Sequence, residues 1–157
     1  MRHWQSFDRI CELMETYLRE FTAHRDDPKR LNAHVAQPLL GLSIHVHVAD
    51  TDEKAMEQAR PAYAAFYENF TRRYLDLGSD KYPRQEDFDR LVAVGKVAVG
   101  SPETVGRLLG DLCERSGANY LIGSFTFGSL SYEQSHRSLE LFAREVMPVL
   151  AAAGVPA

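Results

Sequence analysis

The sequence predicts an α/β fold in which a few parallel strands are flanked by about four helices. In several long segments apolar residues recur every three or four positions, which is the spacing of amphipathic helices. Between these segments lie short apolar runs, one of which alternates apolar and polar side chains with the period of a strand. The connections between the candidate strands are long enough for the right-handed crossovers that join parallel strands.

The first predicted element is a helix over residues 7–21. Its apolar residues fall on one stripe: Phe7, Ile10, Cys11, Met14, Tyr17, Leu18 and Phe21. Pro28 and the charged residues before it disfavour continuation of the helix. Because the stripe is apolar, this helix needs another layer to cover it.

The segment 39–49 changes to a period of two and predicts a strand. One face carries apolar side chains: Leu42, Ile44, Val46 and Val48. The other face carries polar side chains: Ser43, His45 and His47. The polar face is the one that bears on function.

A long helix is expected to follow, beginning at Asp50 and running to about Tyr74. Asp50 can cap it with Glu53 three residues on, and acidic residues suit the positive end of the helix dipole. Its inner face begins with small residues and ends with aromatic ones: Ala55, Ala59, Ala62, Tyr63, Phe66 and Phe70. Pro61 removes one internal N–H donor and should bend the helix. Residues 76–86 then have the pattern of a loop.

Residues 90–99 leave two interpretations open, a short strand or an extended connection, because Gly95 interrupts a run rich in valine and alanine. The next signal is clearer. Ser101 at the cap and Pro102 at the first helical position predict a helix that ends near Gly117. Residues 119–127 then predict a second buried strand.

Ser131 and Gln134 form a capping box for a last helix. Its apolar stripe is continuous: Leu139, Phe142, Ala143, Val146, Met147 and Leu150. The tail over residues 151–157 is expected to fray, and the chain 1–157 is expected to be a single domain. Two or three strands flanked by four helices leave two exposed sheet edges, so either edge is expected to need a partner.

Composition excludes several classes of protein. Charged residues make up 25% and hydrophobic residues 45%, as in an ordinary globular protein. A net charge of −4 gives no electrostatic attraction to nucleic acid or to an anionic membrane. No signal peptide and no apolar run near ~18 residues are present, so a cytoplasmic location is expected. Cys11 and Cys113 lie in apolar-periodic segments and are expected to be reduced and buried.

Three sequence runs resemble one enzyme family. They are GLSIHVHVADTDEKA over residues 41–55, VGSPETV over 99–105 and RSLELFAREVMP over 137–148. Together they resemble the luciferase-like flavin-dependent monooxygenases, the group that includes bacterial luciferase and alkanesulfonate monooxygenase. The resemblance extends over nearly the whole chain, from about residue 7 to residue 150.

The resemblance implies a β/α-barrel enzyme that acts on a small-molecule substrate. It implies reduced FMN, or deazaflavin in a sister branch, together with dioxygen or a hydride acceptor. At 157 residues the chain corresponds only to the last part of a barrel of ~250 residues, a partial (β/α)8 TIM-barrel-like fold. The earlier strands supply most flavin contacts and much of the dimer interface in the family. The expected partner is therefore a second copy of this chain or the missing barrel half.

The resemblance also implies the site residues. His45 matches a histidine that related monooxygenases place on this strand facing flavin and substrate, and it is the catalytic candidate. Ser43 stands where the alkanesulfonate branch has an arginine, so the anion-binding role of that position is not inherited. Ser43 and His47 share the face of His45 and are candidate cofactor-binding residues. The loop after the last strand adds three weaker candidates, at the strand ends where barrel enzymes build their sites: Phe127, Gly128 and Ser129. No metal is expected.

Other interpretations remain open from the sequence. His45 could instead be a polar residue on an open strand face. His45 with His47 could also be neighbouring metal ligands, although no third histidine and no cysteine lies nearby in sequence. Cys113 would need an adjacent base to act as a nucleophile. For the whole chain, the alternatives are a non-catalytic or accessory subunit that assembles through exposed sheet edges and a small α/β ligand-binding domain.

Overall fold

The computed structural model describes residues 7–152, which form one three-stranded sheet with helices on both of its faces. The expectations for residues 1–6 and for residues 153–157 of the tail lie outside the described part. In chain order the elements are α1 (Phe7–Ala23), β1 (Gly41–Val48), α2 (Asp52–Asp76), α3 (Phe88–Ala93), β2 (Val97–Gly100), α4 (Pro102–Ser116), β3 (Tyr120–Ser124), α5 (Tyr132–Leu141), a π-helical turn (Phe142–Val146) and α6 (Met147–Ala152).

The strands are all parallel and lie in the order β2-β1-β3. His45 of β1 is opposite Val97 of β2, and Ser43 of β1 is opposite Ile122 of β3. The predicted α/β class, with parallel strands joined by helical crossovers, is confirmed. Because β1 lies in the centre, the connection to β2 and the connection from β2 to β3 run in opposite directions. Right-handed crossovers then place their helices on opposite faces of the sheet.

Each face of the sheet has its own core. Ile44, Val46 and Val48 point to α4 and the C-terminal helices, where they meet Val105, Leu109 and Val146, among others. The face that carries His45 and His47 packs against α2 and α3. The core residues on that side are Ala49, Ala55, Ala59, Ala62, Phe88, Leu91, Val97, Val99 and Phe127. Ala55, Ala59 and Ala62 of α2 are fully buried, as the small-residue half of its predicted face requires.

The ambiguous segment 90–99 divides into the end of α3 and the short strand β2. Gly95 lies between them with φ of 71°, in the left-handed region that glycine adopts without strain. It ends a helix rather than interrupting a strand. The valines that follow it form β2, and all four residues of that strand are buried.

The cap of α2 was predicted one residue too early. Thr51 is the N-cap, and its hydroxyl accepts a hydrogen bond from the backbone N–H of Lys54 at 3.2 Å. Asp50 instead forms ion pairs with Lys54 at 3.0 Å and Arg137 at 2.8 Å. The run Asp-Thr-Asp offers three capping residues in succession, so pattern alone does not select among them.

Residues 119–127 were predicted to form a buried strand. A strand, β3, does lie within this range, but the prediction that it is buried was wrong. β3 is an edge strand, and Tyr120 and Ile122 are 47% and 49% exposed. Helix α2 lies over the β2 side of this face and does not cover β3. The open part of the sheet is therefore at β3, whereas β2, the other edge, is buried.

The last helix begins with the predicted capping box, in which both the Ser131 and the Gln134 hydrogen bonds are present. Its predicted continuous stripe was wrong, because the π-helical turn inserts one residue. Leu139 is therefore 48% exposed, whereas Leu141, Val146 and Leu150 are buried. Among residues 7–152, no helix combines the length and the apolar character that crossing a membrane requires.

Candidate functional site

The polar face of β1 places its three side chains in three different surroundings. Ser43 is exposed, His45 is half-buried and His47 is fully buried. The structure therefore brings Ser43 and His45 to an accessible surface. It holds His47 in the interior beneath α2.

The imidazole of His45 packs among three aromatic rings. Its centroid lies 4.5 Å from that of Phe66, 6.0 Å from Tyr63 and 5.0 Å from Phe127. Tyr63 and Phe66 are three residues apart and so project from one side of α2. Phe127 reaches the same point from the loop after β3. The structure thus brings together two of the candidate site residues, His45 and Phe127.

His45 lines a cavity of about 400 Å³ beside the first half of β1. The cavity exists because β2 begins only opposite His45, so residues 41–44 have no strand partner on that side. Its walls are mostly apolar and aromatic, and its polar or charged side chains are Ser43, His45, Tyr63, Tyr67, Tyr82, Glu86 and Lys96. Such a volume and lining are typical of small-molecule sites.

Burial favours the neutral form of both His45 and His47. Burial lowers the pKa of His45, whose Nδ1 is buried without a hydrogen-bond partner. Burial also lowers the pKa of His47, and the hydrogen bond with Gln58 partly opposes that effect. Nε2 of His47 donates to Oε1 of Gln58 at 2.9 Å, which assigns its proton to Nε2. His45 is half-buried and Nδ1 is its buried nitrogen, so Nε2 is the nitrogen available to a ligand in the cavity.

A second polar group of the cavity, the pair Tyr63 and Glu86, was not predicted from the sequence. The Tyr63 hydroxyl donates to Oε2 of Glu86 at 2.9 Å. Burial and then the Glu86 charge raise the pKa of Tyr63, so its proton stays in place. Tyr67 donates to the carbonyl of Pro83 at 2.8 Å, and burial raises its pKa to about 12. These bonds fix the loop before α3 as one wall of the cavity.

None of the loop candidates Phe127, Gly128 and Ser129 lines this cavity, although the ring of Phe127 contacts His45. Gly128 has φ of 56° and lies so close to α2 that a Cβ there would overlap the carbonyl oxygen of Ala62. Its glycine is required by this close approach. Ser129 is exposed and borders a shallow surface groove with Lys54 and Gln134.

The carboxyl edge of the sheet is occupied by internal contacts. Asp52 accepts hydrogen bonds from the Ser101 backbone N–H at 2.6 Å and from the Thr104 hydroxyl at 3.0 Å. Hydrogen bonds from Arg137 and Lys54 lower the pKa of Asp50 to about 2. The candidate cavity lies beside the first half of β1 instead, and not at the carboxyl ends of the strands, where the loop candidates were predicted. No group of three or more histidines, cysteines or carboxylates is placed to hold a metal ion within residues 7–152.

The described residues fit one part of the FMN that the resemblance implies. The aromatic walls and the accessible Nε2 of His45 suit a planar ring with a polar edge. A phosphate needs clustered basic side chains or an open helix N-terminus. The first turn of α4 is bound to Asp52, and the first turns of α1, α2 and α5 carry carboxylates. The residues therefore fit the ring and do not fit the phosphate.

No protein-family model matches the chain, and no curated protein matches it. Solved structures do share its fold. Monooxygenase RslO1 from Streptomyces bottropensis matches with a TM-score of 0.69 and 20% identity over 92% of this chain and 39% of RslO1.

Two further structures carry flavin ligands. One is the oxygenating constituent of 3,6-diketocamphane monooxygenase, a type II Baeyer-Villiger monooxygenase from the CAM plasmid of Pseudomonas putida, in complex with FMN. It matches with a TM-score of 0.60 and 25% identity over 92% of this chain and 41% of that chain. The other is riboflavin lyase RcaE with modified FMN and riboflavin, with a TM-score of 0.56 and 19% identity over 98% and 38% of the two chains.

The chain thus spans about two fifths of the length of these proteins. Its three parallel strands and their helices match part of the TIM-barrel-like fold of these monooxygenases, as the partial-barrel prediction expected.

Proposed function

We propose that this chain is part of a flavin-dependent oxidoreductase of the monooxygenase type, in which His45 contacts the flavin ring or the substrate. The observation that carries the proposal is the placement of His45 in an aromatic cavity, in a chain with the fold of FMN-bound neighbours. FMN is proposed rather than deazaflavin because two neighbours hold FMN or modified FMN.

In this proposal His45 acts through the accessible Nε2 of a neutral imidazole. A neutral imidazole donates or accepts one hydrogen bond and can stabilise negative charge that develops on a nearby oxygen. The rings of Tyr63, Phe66 and Phe127 exclude water around it. When bound, the flavin supplies the oxygen or hydride chemistry, and the protein supplies orientation.

We propose a different role for each of the remaining candidate residues. Ser43 lies in the cavity wall beside His45 and is proposed to contact the ring. His47 is proposed to support β1 through Gln58 rather than to touch the cofactor. Gly128 is proposed to let the loop approach α2, which holds Phe127 against His45. Ser129 is the most distant candidate and is proposed to contact only a ligand that extends onto the surface.

A flavin titration tests the proposal. We expect saturable quenching of riboflavin or FMN fluorescence by the native chain, and a dissociation constant roughly fivefold to tenfold weaker in His45→Gln, the effect of one lost hydrogen bond. His136→Gln is the matched control, because His136 is exposed on α5. No saturable change with either flavin up to millimolar concentration would contradict flavin binding by this chain.

A second candidate function is assembly with another chain through β3. The exposed Tyr120 and Ile122 on an edge strand favour it. The proposed partner is a second copy or a chain that supplies the other barrel strands. Light scattering after size-exclusion chromatography should show an oligomer that Ile122→Lys dissociates. Leu139→Lys, at a residue of similar exposure on α5, should leave it intact. A native chain that is monomeric at high concentration would rule out self-assembly.

A further inference from the structure

The cavity beside His45 contains one carboxylate and one ammonium side chain, Glu86 and Lys96. Glu86 comes from the loop before α3 and is fixed by the hydrogen bond from Tyr63 at 2.9 Å. It also borders the outer groove on the far side of Tyr63, so its carboxylate stands in the wall that separates the cavity from that groove. Any ligand in the cavity therefore lies beside a fixed negative charge.

One helix, α1, borders the cavity with its first turn, through Phe7 and Ile10, and Asp8 in that turn opposes the positive end of its dipole. Helix α3 contributes Leu91 and, just after its end, Val94, while α4 contributes Leu109 and Leu112 from its second half. These are the carboxyl halves of α3 and α4, where the dipole is negative and anions are disfavoured. Among the side chains of this lining there is one ammonium group and one carboxylate, so the lining carries no excess of positive charge. The cavity would thus lack the positive charge needed to balance the two negative charges of a phosphate dianion.

The other walls favour an uncharged ring. Phe66 and Phe70 are stacked at 5.8 Å, and the ring of Tyr82 meets Phe70 edge to face at 5.4 Å. Together with His45 they form a continuous aromatic wall. Planar apolar compounds gain both burial and ring contacts against such a wall.

We infer that the cavity takes an uncharged planar ring compound that lacks a phosphate, and that Glu86 is the specificity-determining residue that rejects phosphorylated or anionic ligands. Where the ring is a flavin, this inference rests on the proposed function. It goes beyond that function because it expects the cavity to favour the phosphate-free flavin, so that an FMN cofactor would keep its phosphate outside the cavity, and because it ties this preference to one carboxylate.

The test uses two matched pairs of probes on the whole chain: riboflavin with FMN, and 2-naphthol with 2-naphthyl phosphate. We expect the phosphate-free member of a pair to bind roughly tenfold tighter, from like-charge repulsion by Glu86. Glu86→Gln keeps an acceptor for the Tyr63 hydroxyl. In this variant the ratio of the two dissociation constants within each pair of probes should fall to about twofold or less. Glu68→Gln removes an equal charge in the outer groove and should leave the ratio unchanged. Far-UV circular dichroism checks that each variant is folded.

The outcomes separate the two proposals. Tighter binding of FMN than of riboflavin would overturn the inference while supporting flavin binding. Discrimination between the naphthyl compounds with no riboflavin binding would support the inference and contradict the proposed function. An unchanged ratio in folded Glu86→Gln would overturn the role of Glu86. Failure of both uncharged compounds to bind would overturn the inference as a whole.

Discussion

Two serines on α5 allow a direct measurement of one buried hydrogen bond. Ser138 is fully buried, and its hydroxyl accepts a hydrogen bond from the backbone N–H of Val48 at 2.8 Å. The pairing of β1 with β3 ends at His45 opposite Ser124, so Val48 has no strand partner on that side. The serine takes the place of the missing strand. Ser135, one turn earlier, is also buried, but its hydroxyl has no partner.

Ser138→Ala leaves the N–H of Val48 buried without an acceptor, which costs about 1–3 kcal/mol of the free energy of unfolding. Ser135→Ala removes a hydroxyl that makes no bond, so its effect should be near zero or stabilising. The gain in helix propensity from serine to alanine is about 0.5 kcal/mol and applies equally to both variants. The difference between them therefore isolates the hydrogen bond to β1.

Urea denaturation followed by far-UV circular dichroism measures both free energies, and thermal unfolding adds a shift of roughly 2–4 °C per kcal/mol for a chain of this size. We expect Ser138→Ala to be less stable than Ser135→Ala by at least about 1 kcal/mol. Equal stabilities of the two variants would refute the assignment of Ser138 as the partner that replaces a strand.

Further predictions concern the loop, pH and the edge strand. Gly128→Ala should destabilise the chain by about 1–3 kcal/mol, because it strains a residue at φ of 56° and pushes the loop away from Ala62. The control Gly110→Ala should not destabilise it, because no atom lies near the new Cβ. Equal unfolding midpoints of the two variants would contradict the close approach of the loop to α2. His45 and His47 have folded pKa values below 6.5, so their stability contribution is complete above pH 6.5 and falls as pH drops toward the folded values. Urea denaturation at pH 7.5 and 5.5 should show this loss of unfolding free energy. His47→Gln should reduce the loss, and His136→Gln should not. A loss of the same size in His47→Gln would refute the assignment of the pH dependence to His47. Ile122→Lys should reduce self-association without lowering the unfolding midpoint of the monomer, because Ile122 is already 49% exposed, and a large loss of monomer stability would contradict its position on an open edge.

Local patterns predicted much of the fold. The period of two over residues 39–49 gave β1 and its two faces, and the caps at Ser101 and Ser131 gave the starts of α4 and α5. Each of these features depends on residues that are close together in the sequence, so a short segment is enough to predict it.

Features that depend on distant residues were not predictable in the same way. The exposure of β3 depends on where α2 lies, and the burial of Val146 in the π-helical turn depends on packing against α4. Neither relation has a local signal.

In the candidate site, too, the local features were predictable and those that depend on distant residues were not. Alternation on β1 brought His45 to one polar face, and the aromatic half of α2 was visible in its spacing. Glu86 was not predicted, because it lies in a loop and meets Tyr63 across 23 residues of sequence. Alternation also could not separate His45 from His47, since only the packing of α2 buries one and leaves the other accessible.

Nuclear magnetic resonance of the histidine side chains, recorded while riboflavin is added, tests most directly whether His45 faces a site for a planar ring. We predict that the imidazole signals of His45 shift in a saturable manner, while those of His47, bonded to Gln58, and of exposed His136 stay in place. A titration in which His45 does not move, or in which His136 moves as much, would contradict this account of the cavity.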